Sequence, residues 1–519
     1  MKDLTSSVYT FEDLIDGNFL YVDKTEYLWQ LIQPAKGIFF LSRPRRFGKS
    51  LTLSTLKAVF QGKKHLFKGL SLESKSYDWK EYPVIHIDLG LRPIKNAKEL
   101  SLSLTTSLDK IASEYGITLS GGPAAFKFSE LIIELQPQGK VVILIDEYDK
   151  PILDNIISPE AESIRRELED FYSVVKGTEP YQRFVLLTGV SKFSKVSVFS
   201  KLNNLADISM DAKYATMLGY TQDELEHYFP DYIDHTVKLL QTTCDDLLKQ
   251  MKLWYNGYRF HSNAPTVYNP VSIAKFFDSN GEFQNFWFET GTPGFLLKVA
   301  KEQGFNFEDA LSRPVSRLAF SAYEIGKLKT LPLLYQTGYL TIADTVKDRF
   351  ETFYRLDFPN REVEGAFDAY LIDEYTRVDK EDVAVIVSEL DEFIRQRDVD
   401  SFMSRLQVFF AGIPYDIQLA HEKYYQSIFY IVFRLLNLRI EAEARTNIGR
   451  IDAVVQTDKY VYVFEFKLDG SAEEALQQIR DKSYYEKFLA SGREIILVGA
   501  NFSTEKRGVE NWLSESVTR

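Results

Sequence analysis

The chain has 519 residues, enough for about two to four domains with cores of their own. Hydrophobic residues make up 45% and charged residues 26%, the balance of a globular protein, and no apolar run reaches the ~20 residues that span a bilayer. A net charge of −12 argues against broad non-specific coating of nucleic acid while leaving room for a local basic channel, and a single cysteine, Cys244, excludes an internal disulfide. The opening MKDLTSSVYTFEDL has no basic region followed by an apolar one, so a cytoplasmic chain with no membrane partner is expected.

In chain order, Phe19-Leu20-Tyr21-Val22 has the composition of a short strand, and Leu28, Leu31 and Ile32 follow at helical spacing, a segment placed to pack beside a nucleotide base. Then comes GIFFLSRPRRFGKSLTL, Gly37 to Leu53: an apolar strand, a basic turn, and a helix opening at Lys49. This order is that of a phosphate-binding loop, in which backbone N–H groups and a helix N-terminus converge on a polyphosphate. Arg46, Phe47, Gly48, Lys49, Ser50 and Leu51 are the expected nucleotide-binding set, with Lys49 on the β- and γ-phosphates and the Ser50 hydroxyl on Mg²⁺. Arg43 stands where such loops usually carry their first glycine.

The helix continues through Leu56 and Val59, and Val84 to Asp88 reads as the next strand, with His86 and Asp88 as strand residues holding local partners. Helices are expected over Leu100 to Tyr115 and Phe128 to Leu135. They lead to Val141-Val142-Ile143-Leu144-Ile145-Asp146-Glu147, a buried parallel strand ending in two carboxylates. Asp146 would share the Mg²⁺ with Ser50, and Glu147 would polarise the attacking water. A helix over Glu160 to Val175 follows, where Arg165 and Arg166 fit ion pairs with Glu162 and Glu169 better than a finger reaching a second copy of the chain. Arg183 to Ser191 is a further strand, with Thr188 or Ser191 at its end to sense the γ-phosphate. Strand alternating with helix predicts a doubly wound parallel sheet.

Asp223 to Leu253 reads as helical, Trp254-Tyr255-Asn256-Gly257-Tyr258 as an aromatic turn used in packing, and Asn269-Pro270 as a helix start. A helix at Leu331 to Tyr335 and short strands at Tyr339 to Ile342 and Phe353 to Leu356 resemble a winged helix without the basic concentration of a DNA reader, so a lid or packing role is expected. Leu390 to Phe410 reads as a connecting helix. The expected division is a P-loop domain over 1–210, a helical region over 211–330, winged-helix-like and connecting helices over 331–410, and an α/β domain over 411–519.

That last part carries a second chemistry. Ile448 to Val455 and Tyr460 to Lys467 are two strands joined by a turn at Thr457-Asp458. Period-two alternation puts Glu465 and Lys467 on one face and Phe464 and Phe466 on the other, with Asp452 on the neighbouring strand. Asp452 and Glu465 would supply hard oxygen ligands to Mg²⁺ or Mn²⁺, and Lys467 would orient or activate the water that attacks a phosphodiester. Glu422, opening a helix that runs to Leu436, would add a carboxylate. Gln478, on a helix over Ala472 to Leu489, would contact the metal-bound water or the nucleic-acid backbone.

The residues Arg43 to Ser50, Ile145 to Pro151, Trp254 to Tyr258, Gly449 to Asp452 and Phe464 to Lys467 resemble the bacterial AAA-ATPase-like proteins that carry a C-terminal PD-(D/E)XK nuclease superfamily domain, over essentially the whole chain. Arg43 is normal in that group. The resemblance implies ATP held by Lys49, Ser50 and Asp146, and a nuclease site at Asp452, Glu465 and Lys467. It implies nucleic acid, DNA above all, as partner, and assembly of several copies would suit it. The expected function is ATP-dependent control of a metal-dependent nuclease, with defence against or processing of foreign DNA as a setting by analogy. The other class that fits is a nucleotide-dependent sensor or scaffold whose nuclease-like domain binds without cutting.

Overall fold

The structure, a computed structural model, describes residues 2–192, 204–287, 311, 313–320, 330–349, 351–376, 378, 380–413, 428, 431–436, 441–447, 450–483, 485–506 and 508–517. These fall into two compact units, one within 2–362 and the other within 363–517.

In the first unit, β1 (Gly37–Ser42), β2 (Val84–Asp88), β3 (Val141–Asp146), β4 (Gln182–Gly189) and β5 (Ala206–Asp207) form a sheet in the order β2-β3-β4-β1-β5, every neighbouring pair parallel. β3 and β4 are buried along their whole length, which is why 142–145 and 184–187 are unbroken apolar runs. Because β4 lies between β1 and β3, the ends of all three strands meet at one edge: Leu41 is in register with Thr188, and Ile145 with Leu187. The helix Lys49–Phe60 packs on β3, and helices Ala97–Glu114, Ala124–Leu135 and Ala161–Gly177 pack on one another, with Phe128 stacked on Phe171 at 4.6 Å. Phe19 to Val22 joins no sheet among the described residues; its Leu20 N–H bonds to the Asp3 carbonyl.

Beyond the sheet, 223–253 is three helices, Gln222–Tyr228, Pro230–Leu240 and Cys244–Tyr255, around a core that includes Tyr255, Phe276 and Phe277. Asn269 caps the helix Pro270–Asp278 by accepting from the Val271 and Ser272 N–H groups. The helix Thr330–Thr337 precedes a wing-like antiparallel hairpin, β7 (Thr341–Lys347) and β8 (Thr352–Asp357), whose third strand is β6 (Val315–Ser316).

The second unit begins with helices. The single helix expected over Leu390 to Phe410 is two, Lys380–Arg395 and Val399–Ala411: Arg397 adopts φ +64°, and the Asp398 side chain caps the second helix at Ser401 N, 2.9 Å away. The mixed sheet runs β13-β12-β11-β10-β9, built from β9 (Glu441–Asn447), β10 (Arg450–Gln456), β11 (Tyr460–Leu468), β12 (Glu494–Ser503) and β13 (Gly508–Ser516). Only β11 and β12 run parallel among these pairs. One face of β11, Val461 and Val463, packs with Leu476 and Ile479 of the helix Ala472–Asp481. The other face is aromatic: Phe464 lies 5.5 Å from Phe402 and 5.4 Å from Phe433. The helix stops at Asp481 rather than continuing to Leu489, because Ser483 turns to φ +50° and a 3₁₀ segment, Glu486–Ser491, follows. No helix among the described residues is long and apolar enough to cross a membrane.

Phe464 is fully buried within that aromatic face. Phe464→Ala is expected to destabilise the second unit by about 3–5 kcal/mol, read as a lowered urea midpoint.

Candidate nucleotide and nuclease sites

The phosphate turn begins where β1 ends. Arg43 does not line it: the side chain is 1% exposed and runs back into the unit, donating to the carbonyls of Ser42 at 2.9 Å, Ser209 at 2.7 Å and Tyr214 at 3.0 Å. Its guanidinium lies 4.0 Å over the Phe260 ring, and burial lowers its pKa to about 10, where it stays charged at neutral pH. Arg43 thus staples the turn from behind and leaves the anion side to the backbone. Arg46 takes φ +66° and Gly48 φ +89°, the two left-handed residues that fold the turn into the helix Lys49–Phe60.

The Lys49 ammonium is nearly enclosed and donates to the Arg43 and Pro44 carbonyls at 3.0 and 2.8 Å, spanning its own loop. Burial lowers its pKa, opposed by Asp146, Glu147 and Asp149. Phe47 contributes backbone alone, since its ring is buried edge-on to Tyr258 at 4.8 Å and Phe260 at 5.5 Å. The Arg46 side chain donates to the Phe286 carbonyl.

Across the sheet edge, Asp146 is 2% exposed and accepts from the Thr188 hydroxyl at 2.6 Å and the Glu147 N–H at 2.9 Å. Of the two sensor candidates, Thr188 therefore joins this centre. Ser191 is committed to Asp149, whose Oδ2 accepts from the Ser191 N–H and hydroxyl, both at 2.6 Å. Burial pushes the Asp149 carboxyl up against those bonds. Glu147 sits at φ +49°, 3.3 Å from the Lys150 ammonium, against Gly90, where a Cβ would come within 2.4 Å of its carboxylate. Asp88, in register with Asp146, has the expected local partner, the Gly90 N–H at 2.7 Å; burial raises it to about 6. Arg165 and Arg166 pair with Glu162, and Arg165 also with Glu169, as ion pairing predicts.

A cavity of about 430 Å³ opens beside the turn, and all six residues of the expected set, 46–51, line it together with Glu147. Its lining also includes the apolar Val8, Leu20, Tyr21 and Val22 from the N-terminal segment and Met217, Tyr220 and Val271. Lys24 also lines this cavity, its ammonium held by Glu224 at 2.6 Å and the Thr216 carbonyl at 2.8 Å. Sequence reading missed Lys24 and the 217–220 wall, whose partners lie about 200 positions apart.

In the second unit, Asp452 and Glu465 are directly opposed across the antiparallel pair β10–β11. Glu465 is fully buried, and the Gln478 amide joins the expected residues: its Nε2 donates to Glu465 Oε1, and its Oε1 accepts from the Lys467 ammonium. Gln478 gets there because the helix Ala472–Asp481 lies hard against β12. A Cβ on Gly499, the register partner of Glu465, would fall 2.5 Å from the Ala472 carbonyl and 2.6 Å from the Leu476 N–H. That glycine is a signal a reader of the sequence could not have weighed without the register. Ser471 fixes the helix start through a capping box with Glu474. Glu422 lies outside the described residues, and of Asp452 the strand position is described.

Comparison with known proteins finds two domain families in the chain. Residues 6–199 match the family described as "Predicted AAA-ATPase", and residues 420–512 match the PD-(D/E)XK nuclease superfamily. The chain is 38% identical over 531 aligned residues, covering 99% of each sequence, to the "Uncharacterized protein in vnfD 5'region" of Azotobacter chroococcum mcd 1. It belongs to the bacterial AAA-ATPase-like proteins with a C-terminal PD-(D/E)XK nuclease superfamily domain.

Arg43→Met removes a buried donor from three carbonyls and is expected to destabilise the first unit by about 2–5 kcal/mol, with Arg43→Lys failing to restore it because an ammonium cannot reproduce the planar fork. Thermal unfolding measures both.

Proposed function

We propose that the first unit binds and hydrolyses ATP and that this controls metal-dependent phosphodiester cleavage by the second. The observation that carries the reading is the hold of Gln478 on both Glu465 and Lys467, opposite Asp452. A fully buried carboxylate and a nearby ammonium, bridged by one amide on a strand, form a costly arrangement for packing alone and a fitting one for phosphodiester chemistry.

At the first site Lys49 would exchange its two loop carbonyls for the β- and γ-phosphates, and the N–H groups of 46–51 would take the phosphate oxygens. Ser50 and Asp146 suit Mg²⁺ as hard oxygen donors, with Thr188 fixing the Asp146 carboxylate. Glu147 would orient the water that attacks the γ-phosphorus, and the apolar walls of the cavity would take the base. At the second site Asp452 and Glu465, with Glu422 from upstream, would hold Mg²⁺ or Mn²⁺, which when bound polarises the scissile phosphate and acidifies water. Lys467 orients that water, and Gln478 keeps Lys467 and Glu465 in place. The water oxygen bonds to phosphorus and releases a proton to solvent, the bond to the leaving sugar oxygen breaks, and that oxygen takes a proton from solvent. Among the described residues no group of three or more His, Cys, Asp or Glu forms a metal cage. Glu422 lies outside those residues, and phosphate oxygens and water would complete the shell at either site.

Lys49→Ala is expected to weaken ATP binding at least about 10-fold, and Glu147→Gln to retain binding while slowing turnover about 10²–10⁴-fold, by titration with a fluorescent ATP analogue and by phosphate release. Unchanged turnover in both would remove the ATPase reading. Cleavage of linear, circular and single-stranded DNA and of RNA, with Mg²⁺ or Mn²⁺ and with and without ATP, is expected to respond to ATP and to fall about 10²–10⁴-fold in Lys467→Ala. Equal cutting by Lys467→Ala and Glu465→Ala would displace the site, and no cutting despite ATP binding would favour the sensor reading.

A further inference from the structure

The turn is gripped on its outer side by residues far away in sequence. Pro44 packs on Gly338, where a Cβ would come within 2.6 Å of it, and the Trp287 indole reaches the Arg45 carbonyl at 3.4 Å. One peptide group is used at both ends: the Phe286 carbonyl accepts from the Arg46 guanidinium, while the N–H of the same peptide, on Trp287, donates to Glu362 Oε1 at 2.8 Å. Glu362 is 0% exposed, and its other oxygen accepts from the Ser272 hydroxyl at 2.8 Å. Burial pushes its carboxyl up to about 7, opposed by the Ser272 and Trp287 hydrogen bonds and by the Arg46 charge.

A cation on the carbonyl and a carboxylate on the N–H polarise that peptide in the same sense, so each bond strengthens the other. Arg46 needs such support, because a left-handed backbone at φ +66° is strained for a residue with a side chain. Glu362 also stands in the first turn of the helix Arg361–Thr376, whose residues from 363 onward belong to the second unit.

We infer that Glu362 is a positioning residue for the phosphate turn: through the Phe286–Trp287 peptide it holds Arg46 in the shape that receives a polyphosphate, and the start of the helix Arg361–Thr376 thereby registers nucleotide. The inference rests on the ATP-binding reading.

The test uses the full chain. Glu362→Gln keeps an acceptor for Trp287 and Ser272 but removes the charge, so folding survives. Affinity for a fluorescent ATP analogue is expected to fall about 10-fold in Glu362→Gln, and Arg46→Ala combined with Glu362→Gln to bind no more weakly than Arg46→Ala alone, since the two act through one peptide. ATP is expected to slow amide exchange over 361–376 in the wild type and to leave it unchanged in Glu362→Gln. If the wild type binds, Lys49→Ala does not, and Glu362→Gln matches wild type in affinity and exchange, or the two losses add in full, the inference is overturned. If the wild type itself fails to bind ATP, the underlying reading falls and takes the inference with it.

Discussion

Phe260 takes the Arg43 guanidinium over its ring and meets the Phe47 ring edge-on, and those contacts tie both ends of the phosphate turn to one short segment after the aromatic motif 254–258. A phosphate loop has to present its N–H groups in a fixed arc before any ligand arrives. Glycine usually makes such an arc by being small at its start. Here the arc is made by enclosure: an arginine buried behind the turn, a phenylalanine wedged beneath it, and carbonyls from 209–214 closing the back. Gly257 shows how tight the enclosure is, since at φ +105° a Cβ there would sit 1.7 Å from the Pro359 carbonyl oxygen.

The two sites use different materials. The turn after β1 is shaped mostly by its backbone, so it tolerates arginine where glycine is usual, provided the side chain has somewhere to go. The nuclease-like site is made of side chains on a strand, with spacing set by register. Asp452 stands opposite Glu465 because β10 and β11 pair in that register, and a slip of one residue would place the two on opposite faces of the sheet. Gly499 extends the same dependence to the helix that carries Gln478.

What could be read beforehand follows from this difference. Buried parallel strands announce themselves as apolar runs, and the alternation through 464–467 assigns faces without any structure. The destination of the Arg43 side chain could not be read, because its partners, Ser209, Tyr214 and Phe260, lie more than 160 residues on. The break at Arg397 is equally silent: no Gly or Pro marks it, and an Asp cap competes with helix continuation only once the tertiary packing is known. Phe19 to Val22 misled because aromatic and branched residues suit a cavity wall as well as a strand.

The central place of β4 bears on how the chain is made. Among the described residues β1 pairs with β4 and β5 alone, so a ribosome must deliver about 140 further residues after residue 42 before β1 gains the first of these neighbours. Until then the nascent chain holds a β2–β3 pair with both outer edges open and a solitary apolar strand, the kind of intermediate that invites chaperone capture or mispairing. The turn that follows β1 is therefore synthesised well before the strand that flanks it and is among the last parts of its unit to take shape.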